Sequence, residues 1–445
     1  MQSFKAFEDS RERGNSLLDD RIIDEADETD ELEAQEWNPN LASEIDYLIP
    51  FDCVAADIQK WILSVSIYPQ PAIAFAAAMA VVGVTIGRNV AYENIKGNLM
   101  FIATAESGEG KDWPLKAAGL LLRSIDMGGD VYGKMASGAA LLDALEMSPS
   151  MLFCIDEFGE YLNGINGKTA SQYSKEISVN MTELYTSSSD MFMGKRTKGN
   201  EPKVVIEPNL CVLGLTTERQ IFDGLKTSDL ANGSLARYSL LFGLSGLLPV
   251  RINNRSLKVP DAIIERLLAL KDKYSKAPFL ASTQLTISDE YTEHKHDLVL
   301  RMKELSNSLE GDKRDFVPMY NRIAVRCIQQ AMLIDQCQNI EVLDWFERLE
   351  RESVGIFVKK FNHLGSDNDI EKSAKRIERV IKEGGKDGIS NQEFNQKCRG
   401  VRPAERKQIL KDLVDVGLVF SKKQAVKKSG GKRSQKDTTF YFWVK

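Results

Sequence analysis

The chain has 445 residues, 43% of them hydrophobic and 27% charged, the composition of an ordinary soluble globular protein with room for two or three domains. The net charge of -6 is unevenly laid: residues 1–50 hold 15 acids against 4 bases, whereas residues 371–445 hold 20 bases against 9 acids. The opening "MQSFKAFEDSRERGN" has no apolar signal core, and the most hydrophobic stretch, Pro71 to Gly87, is an alanine-rich run suited to a buried helix, so a signal peptide and a membrane partner are both excluded.

Six scattered cysteines, with no Cys-x-x-Cys pair, speak against structural zinc and for a reducing, cytoplasmic setting. Residues 1–48, with "DDRIIDEADETDELEAQE", have too few apolar side chains to offset chain ordering and are expected to be a disordered acidic tail or a partner-binding segment. A helical subdomain is expected over 49–98. Within it, "NVAYENIKGNLMFIATA" reads as two short strands around Lys96 and Gly97, the second a buried central strand.

Residues 99–260 carry the pattern of a parallel α/β nucleotide-binding core. After the buried strand comes "TAESGEGKDW", in which Ser107, Gly108, Glu109, Gly110 and Lys111 form the centre of a phosphate-binding P-loop. Such a loop works because backbone N–H groups, freed by glycine, wrap phosphates at a helix N-terminus while lysine neutralises them. Asp112 stands where a hydroxyl normally holds Mg²⁺; a carboxylate there is still a hard-cation ligand but adds negative charge beside the phosphates. The helix "WPLKAAGLLLRSI" tolerates Pro114 in its first turn, and Ser137 opens a second helix.

About 45 residues beyond the lysine, "MLFCIDEFG" is an apolar strand ending in Asp156 and Glu157, the Walker B arrangement. Asp156 is expected to hold the magnesium and Glu157 to orient and deprotonate attacking water. A polar helix near Gln172 to Tyr185 and a hairpin "MFMGKRTKGNEPKVVIEP" follow. Its cations Lys195, Arg196, Lys198 and Lys203 suit a phosphodiester backbone, and equally a solvated turn. The next buried strand, "NLCVLGLTT", ends in Thr216 and Thr217, where related ATPases place a γ-phosphate-sensing group. In "NGSLARYSLLF", Arg237 stands where an arginine finger would reach a neighbouring subunit, a contribution of about 10³ or more to rate in related systems.

Residues 261–363 are long helical patterns, and 364–370 form a linker. Residues 371–445 read as a winged helix: "IEKSAKRIERVIKEG", a second helix capped by Ser390, "PAERKQILKDLVDVG", and two strands, "LVFSKK" and "TTFYFWV", around a basic wing. Arg402, Arg406, Lys407 and Lys411 on the third helix, with Lys427, Lys428, Lys432 and Arg433 on the wing, are candidate DNA contacts; a protein-docking module is the competing reading.

These motifs together resemble the P-loop ATPase domain of phage, plasmid and genomic-island replication modules, a family related to primase-associated hexameric helicases. The resemblance runs from about Phe51 to Phe361 and rests on "VVGVTIGRNV", "ESGEGKDWPLKAA", "FCIDEFGEYL", "VLGLTTE", "GSLARYSLLF" and "NRIAVRCIQQAML". It implies a RecA/AAA+-like P-loop NTPase core with helical flanking subdomains, using ATP and Mg²⁺ in a ring-shaped homo-oligomer, a hexamer, on single-stranded DNA. Helicase or replication-initiator activity for a mobile element follows from the same resemblance, with priming left to a separate primase or host protein. Two other readings of the residues stay open: a catalytically weak ATP-binding DNA scaffold, and a defence or remodelling ATPase acting on protein.

Overall fold

A run of sixteen residues without a charge becomes a helix that shows no side to solvent. In the computed structural model, which describes residues 45–166, 170–196, 201–225, 230, 233–244, 257–275, 282–364, 369–425 and 437–444, helix α1 (Val54–Val65) leads into α2 (Pro71–Ile86), every residue of which is buried. A short hairpin, β1 (Val90–Tyr92) and β2 (Ile95–Lys96), turns at Glu93, whose φ is 53°. The sequence places a strand break at Lys96–Gly97 instead; the left-handed Glu93 turns the chain three residues earlier, and three strands stand where two are expected.

The central sheet is mixed α/β architecture built on five parallel strands, compatible with a Rossmann-type or P-loop-type fold. Its members are β3 (Met100–Thr104), β4 (Val131–Tyr132), β5 (Ser150–Ile155), β8 (Asn209–Thr216) and β9 (Ser239–Phe242), in the order β4-β5-β8-β3-β9. Between them run α3 (Asp112–Ser124), α4 (Gly138–Met147), α5 (Phe158–Asn166), α6 (Gln172–Thr186), the β6 (Met191–Met193) and β7 (Val204–Ile206) hairpin, and α7 (Glu218–Gly224). As expected, Ser137 caps α4, its Oγ accepting from the Ala140 N–H at 3.2 Å. The register sets Thr104 beside both Thr216 and Phe242, and Ile155 beside Gly214, so the ends of β3, β5, β8 and β9 share one edge.

Helices cover both faces. A Cβ on Gly83 of α2 would sit 3.0 Å from the Cys211 sulfur, while the Phe158 ring of α5 lies over Gly214, where a Cβ would be 2.5 Å from it. Residues 211 and 214 of one strand point to opposite faces, so α2 and α5 lie on opposite sides of the sheet. Helix α3 packs with α2, and α7 packs with α5. The chain therefore leaves β3 toward one face and leaves its neighbour β8 toward the other. Adjacent strands with divergent exits make a topological switch point, where open α/β sheets form their ligand crevice at the carboxyl edge.

A helical layer follows: α8 (Asp261–Lys273), the edge strand β10 (Thr283–Gln284) paired with β1, α9 (Asp289–Asn307), α10 (Val317–Asn321), α11 (Ile323–Asp335) and α12 (Ile340–Leu364). The helical pattern from Met319 is broken at Arg322, between α10 and α11. Arg326 of α11 and Glu350 of α12, both essentially fully buried, pair at 2.8 Å. Glu350 also takes bonds from Ser239 of β9 and, at 2.7 Å, from Gln330. This joint welds the helical layer to the sheet. Buried residues from Ile45 to Phe361 form one continuous core, so the segments 49–98, 99–260 and 261–363 share their packing.

The C-terminal residues have a second core of their own, with Ile377, Ile381, Phe394, Ile409 and Val419 at its centre. It joins α13 (Asp369–Glu383), α14 (Asn391–Lys397) and α15 (Pro403–Asp415) to an antiparallel sheet of order β11-β13-β12, from β11 (Ile389–Ser390), β12 (Val419–Ala425) and β13 (Asp437–Trp443). Ser390 caps α14 by accepting from the Glu393 N–H. All six cysteines are unpaired, and among the described residues no helix is long and apolar enough to cross a membrane. The acidic tail up to residue 44 and the centre of the 364–370 linker lie outside the described residues.

Candidate functional site at the carboxyl edge of the sheet

The loop after β3 is a tight glycine turn pinned on both sides. Ala105 donates its N–H to the Thr216 carbonyl at 3.1 Å, and Glu109 donates to the Glu106 carbonyl. Gly108 and Gly110 have φ of 81° and 86°. Gly110 is required twice over, because a Cβ there would also lie 2.3 Å from the Tyr68 carbonyl oxygen. Lys111 then enters α3 in helical geometry, and the free N–H groups of that helix's first turn face the same end. Lys111 is only 7% exposed, and its Nζ is buried with no hydrogen-bond partner among the described residues. An unpaired buried ammonium costs several kcal/mol, as an order of magnitude, unless an anion offsets it. Asp112 beside it is exposed.

Beyond β8, β5 delivers the acid pair. Since β3 and β5 flank one strand, their ends lie about 10 Å apart. Asp156 is exposed and accepts the Glu157 N–H at 2.9 Å through Oδ1. Glu157 has φ 55°, a strained left-handed conformation for a non-glycine residue, and its Oε2 is buried without a partner. Lys111 and Glu157 thus lie on either side of the β8 end with opposite charges, each with an atom unpartnered among the described residues, as is Glu109 Oε2 in the glycine turn itself. Among the described residues no group of three or more His, Cys, Asp or Glu side chains is placed to hold a metal. Asp112 and Asp156 are exposed carboxylates at this edge, as are Glu106 and Glu160; one or two such groups are what Mg²⁺ takes when phosphates and water complete its shell.

Thr216 and Thr217 reach this edge but do not offer free hydroxyls. Thr216 is fully buried; its Oγ1 accepts from the Gly159 N–H at 3.2 Å and bonds to Gln220 Oε1 at 3.0 Å. Thr217 is the N-cap of α7, in a capping box with Gln220. Both hydroxyls expected to sense phosphate are thus engaged within the chain, Thr217 in the helix cap and Thr216 with Gly159 and Gln220. The Thr-x-x-Gln spacing in the sequence is the signal for that cap.

Gln70 and Trp61, outside the motifs, hold the loop together with Trp113. Gln70, 1% exposed, donates from Nε2 to the Glu109 carbonyl at 3.0 Å and the Leu244 carbonyl at 3.1 Å, and accepts the Leu244 N–H at 2.8 Å. It straps the glycine turn to the end of β9. Trp113 donates its indole N–H to the Ile62 carbonyl at 3.1 Å and packs edge-on against Trp61. The turn is therefore held by α1 and by the segment joining it to α2.

Arg237 lies at the other end. It precedes β9, whose far end carries Phe242 beside Thr104, so about 15 Å of strand separates it from the glycine turn. Its Nη1 donates to the Gly233 carbonyl at 2.6 Å and its Nε is buried without a partner. Arg237 and Arg322 both lie over the Tyr185 ring, at 5.9 and 5.8 Å from its centroid. Burial, then the neighbouring Arg322, holds the Arg237 pKa below the ordinary arginine value. Arg237 is not brought to Lys111 within one chain.

The basic candidates divide. Lys195 pairs with Glu176 at 3.7 Å, Arg196 with Glu201 at 3.0 Å, and Lys203 with Asp143 and Glu146, so the described cations of the hairpin are already compensated. Arg402 pairs with Glu405, and Arg406 donates to the Asn395 carbonyl, tying α15 to α14. Lys407 and Lys411, one turn apart on α15, are exposed. Lys198, Lys427, Lys428, Lys432 and Arg433 lie outside the described residues. A scan against protein-family models and a search of characterised proteins both return no match.

Proposed function

We propose that the carboxyl edge of the sheet binds and hydrolyses ATP and that the chain is a DNA-dependent P-loop ATPase, a helicase or replication initiator of a mobile element. One observation carries this reading: Lys111 and Glu157, on loops that flank the end of β8 at the carboxyl edge, each bury a charged atom unpartnered among the described residues. A nucleotide triphosphate answers both. Its phosphates neutralise the Lys111 ammonium over the glycine turn, and the Glu157 carboxylate accepts a proton from attacking water. Asp112 and Asp156 would hold Mg²⁺, which offsets phosphate charge when bound; the Thr216–Gln220 unit borders the same crevice.

Arg237, remote from Lys111 in its own chain, serves a neighbouring copy in this reading. That is the basis for proposing a ring, with a hexamer expected from the resemblance. The three helices and antiparallel ribbon at the C-terminus fit a winged helix, and Lys407 with Lys411 are its most available phosphate contacts. The test is ATP turnover with and without single-stranded DNA. Wild-type protein is expected to hydrolyse ATP, faster with DNA, and Lys111→Ala to reduce turnover to background. Undiminished turnover in Lys111→Ala would place the chemistry elsewhere, and nucleotide binding without turnover in the wild type would favour the scaffold reading.

A further inference from the structure

Register fixes which side chains the C-terminal ribbon turns outward. Val419 pairs with Trp443 and Ser421 with Tyr441; Val419 is 2% exposed, and both aromatic rings pack on the second core. The opposite face consequently carries Phe420 beside Phe442 and Lys422 beside Phe440, with Leu418 and Val444 one step further along. A ribbon with one face packed ordinarily turns polar residues to water. This one does not. Phe420 is 49% exposed, Leu418 40% and Val444 42%. The rings of Phe420 and Phe442 stack with centroids 4.8 Å apart and planes within 9°.

Phe442 is half-buried and lies over Gly388, where a Cβ would be 2.5 Å from its ring, so Phe420 is the exposed member of the pair and the one that the fold does not cover. Contiguous apolar exposure of this kind marks a binding surface. The charge in the row selects the partner. Lys422 is the sole charged side chain that the register puts on this face among the described residues of β12 and β13; it is exposed and makes no ion pair among them. The surrounding residues 371–445 are strongly basic. An exposed aromatic ring, braced on its neighbour and with an adjacent cation, fits a nucleobase and its phosphate, whereas an apolar protein partner would have to bury the lysine.

We propose that the outward face of the β12–β13 ribbon is a stacking platform for unpaired bases of single-stranded DNA, with Phe420, braced on Phe442, receiving a base and Lys422 an adjacent phosphate. The proposal rests on the DNA-binding reading of this domain and not on the ATP site. It assigns the ribbon single strand where a wing is expected to follow duplex.

The test uses the full chain, without nucleotide, at one fixed salt concentration. Anisotropy is measured with fluorescein-labelled oligo(dT) and with a duplex of equal length. Phe420→Ala is expected to weaken oligo(dT) binding about fivefold or more and to leave duplex binding unchanged. Phe420→Tyr should restore binding, while Phe420→Leu, which keeps apolar area without a π face, should stay weak. Oligo(dT) carrying 5-iodouracil should crosslink to β12 or β13. Unchanged binding by Phe420→Ala, an equal loss for duplex, restoration by leucine, or crosslinks confined to other segments would overturn the platform, the leucine result pointing to apolar protein docking instead. Phe420-dependent binding that persists in Lys111→Ala keeps this proposal separate from the ATP site; absence of all DNA binding in the wild type would overturn it together with the DNA reading.

Discussion

Two buried charge systems lie in the same core and are treated in opposite ways. In the helical layer Arg326 and Glu350 neutralise each other at 2.8 Å and are braced by Gln330 and Ser239. Arg326 Nη2 and Gln330 Oε1 are themselves buried without a partner among the described residues, so the contrast lies in the ion pair and not in the orphan atoms. At the carboxyl edge, Lys111 and Glu157 make no ion pair and each bury an atom that bonds to nothing among the described residues. Burial alone therefore does not mark function here. The paired set holds α11 and α12 to β9, and the unpaired set is a cost that a triphosphate and water would remove.

This contrast is broken most severely by Lys111→Ala. Hydrolysis should fall to background while urea unfolding shows stability unchanged or slightly raised, because an uncompensated ammonium has been deleted. Arg237→Ala should lower turnover by about 10³ in the assembled protein and leave ATP affinity intact, a separation read from steady-state rates and equilibrium binding. On the paired side, Glu350→Ala leaves Arg326 buried without a counter-ion and should destabilise the fold by about 3–5 kcal/mol in urea unfolding. The smallest effect is expected at Gln70→Ala, which orphans the Leu244 N–H and the Glu109 carbonyl. About 1–3 kcal/mol of stability should be lost, with weaker ATP binding because the glycine turn loosens.

The residues proposed to carry chemistry are legible in the sequence because they are local. Gly110-Lys111 and Asp156-Glu157 each occupy consecutive positions after an apolar strand, and both ends fall on one edge of the sheet. Strand order was not legible. β8 is the fourth strand of this sheet in the chain yet lies between β3 and β5, and apolar runs of this kind carry no mark of their neighbours. Gln70 gave no signal, being one glutamine about forty residues ahead of the loop it straps. The spacing of Thr217 to Gln220 spells the capping box that the structure shows. The hairpin cations read as free in sequence because their acids, Asp143, Glu146 and Glu176, come from α4 and α6. The outward Phe420–Phe442 pair was hidden for a similar reason: "TTFYFWV" is aromatic on both faces, and only pairing shows which face is packed.

The most direct test of the central claim is Glu157→Gln, which keeps shape and removes the charge at the strained end of β5. ATP binding and ATP turnover are to be measured on the same preparation, with and without single-stranded DNA. The expected result is ATP bound at least as tightly as by the wild type, with turnover reduced about 10²-fold or more. Wild-type turnover in Glu157→Gln would contradict the assignment of this edge as the hydrolytic site.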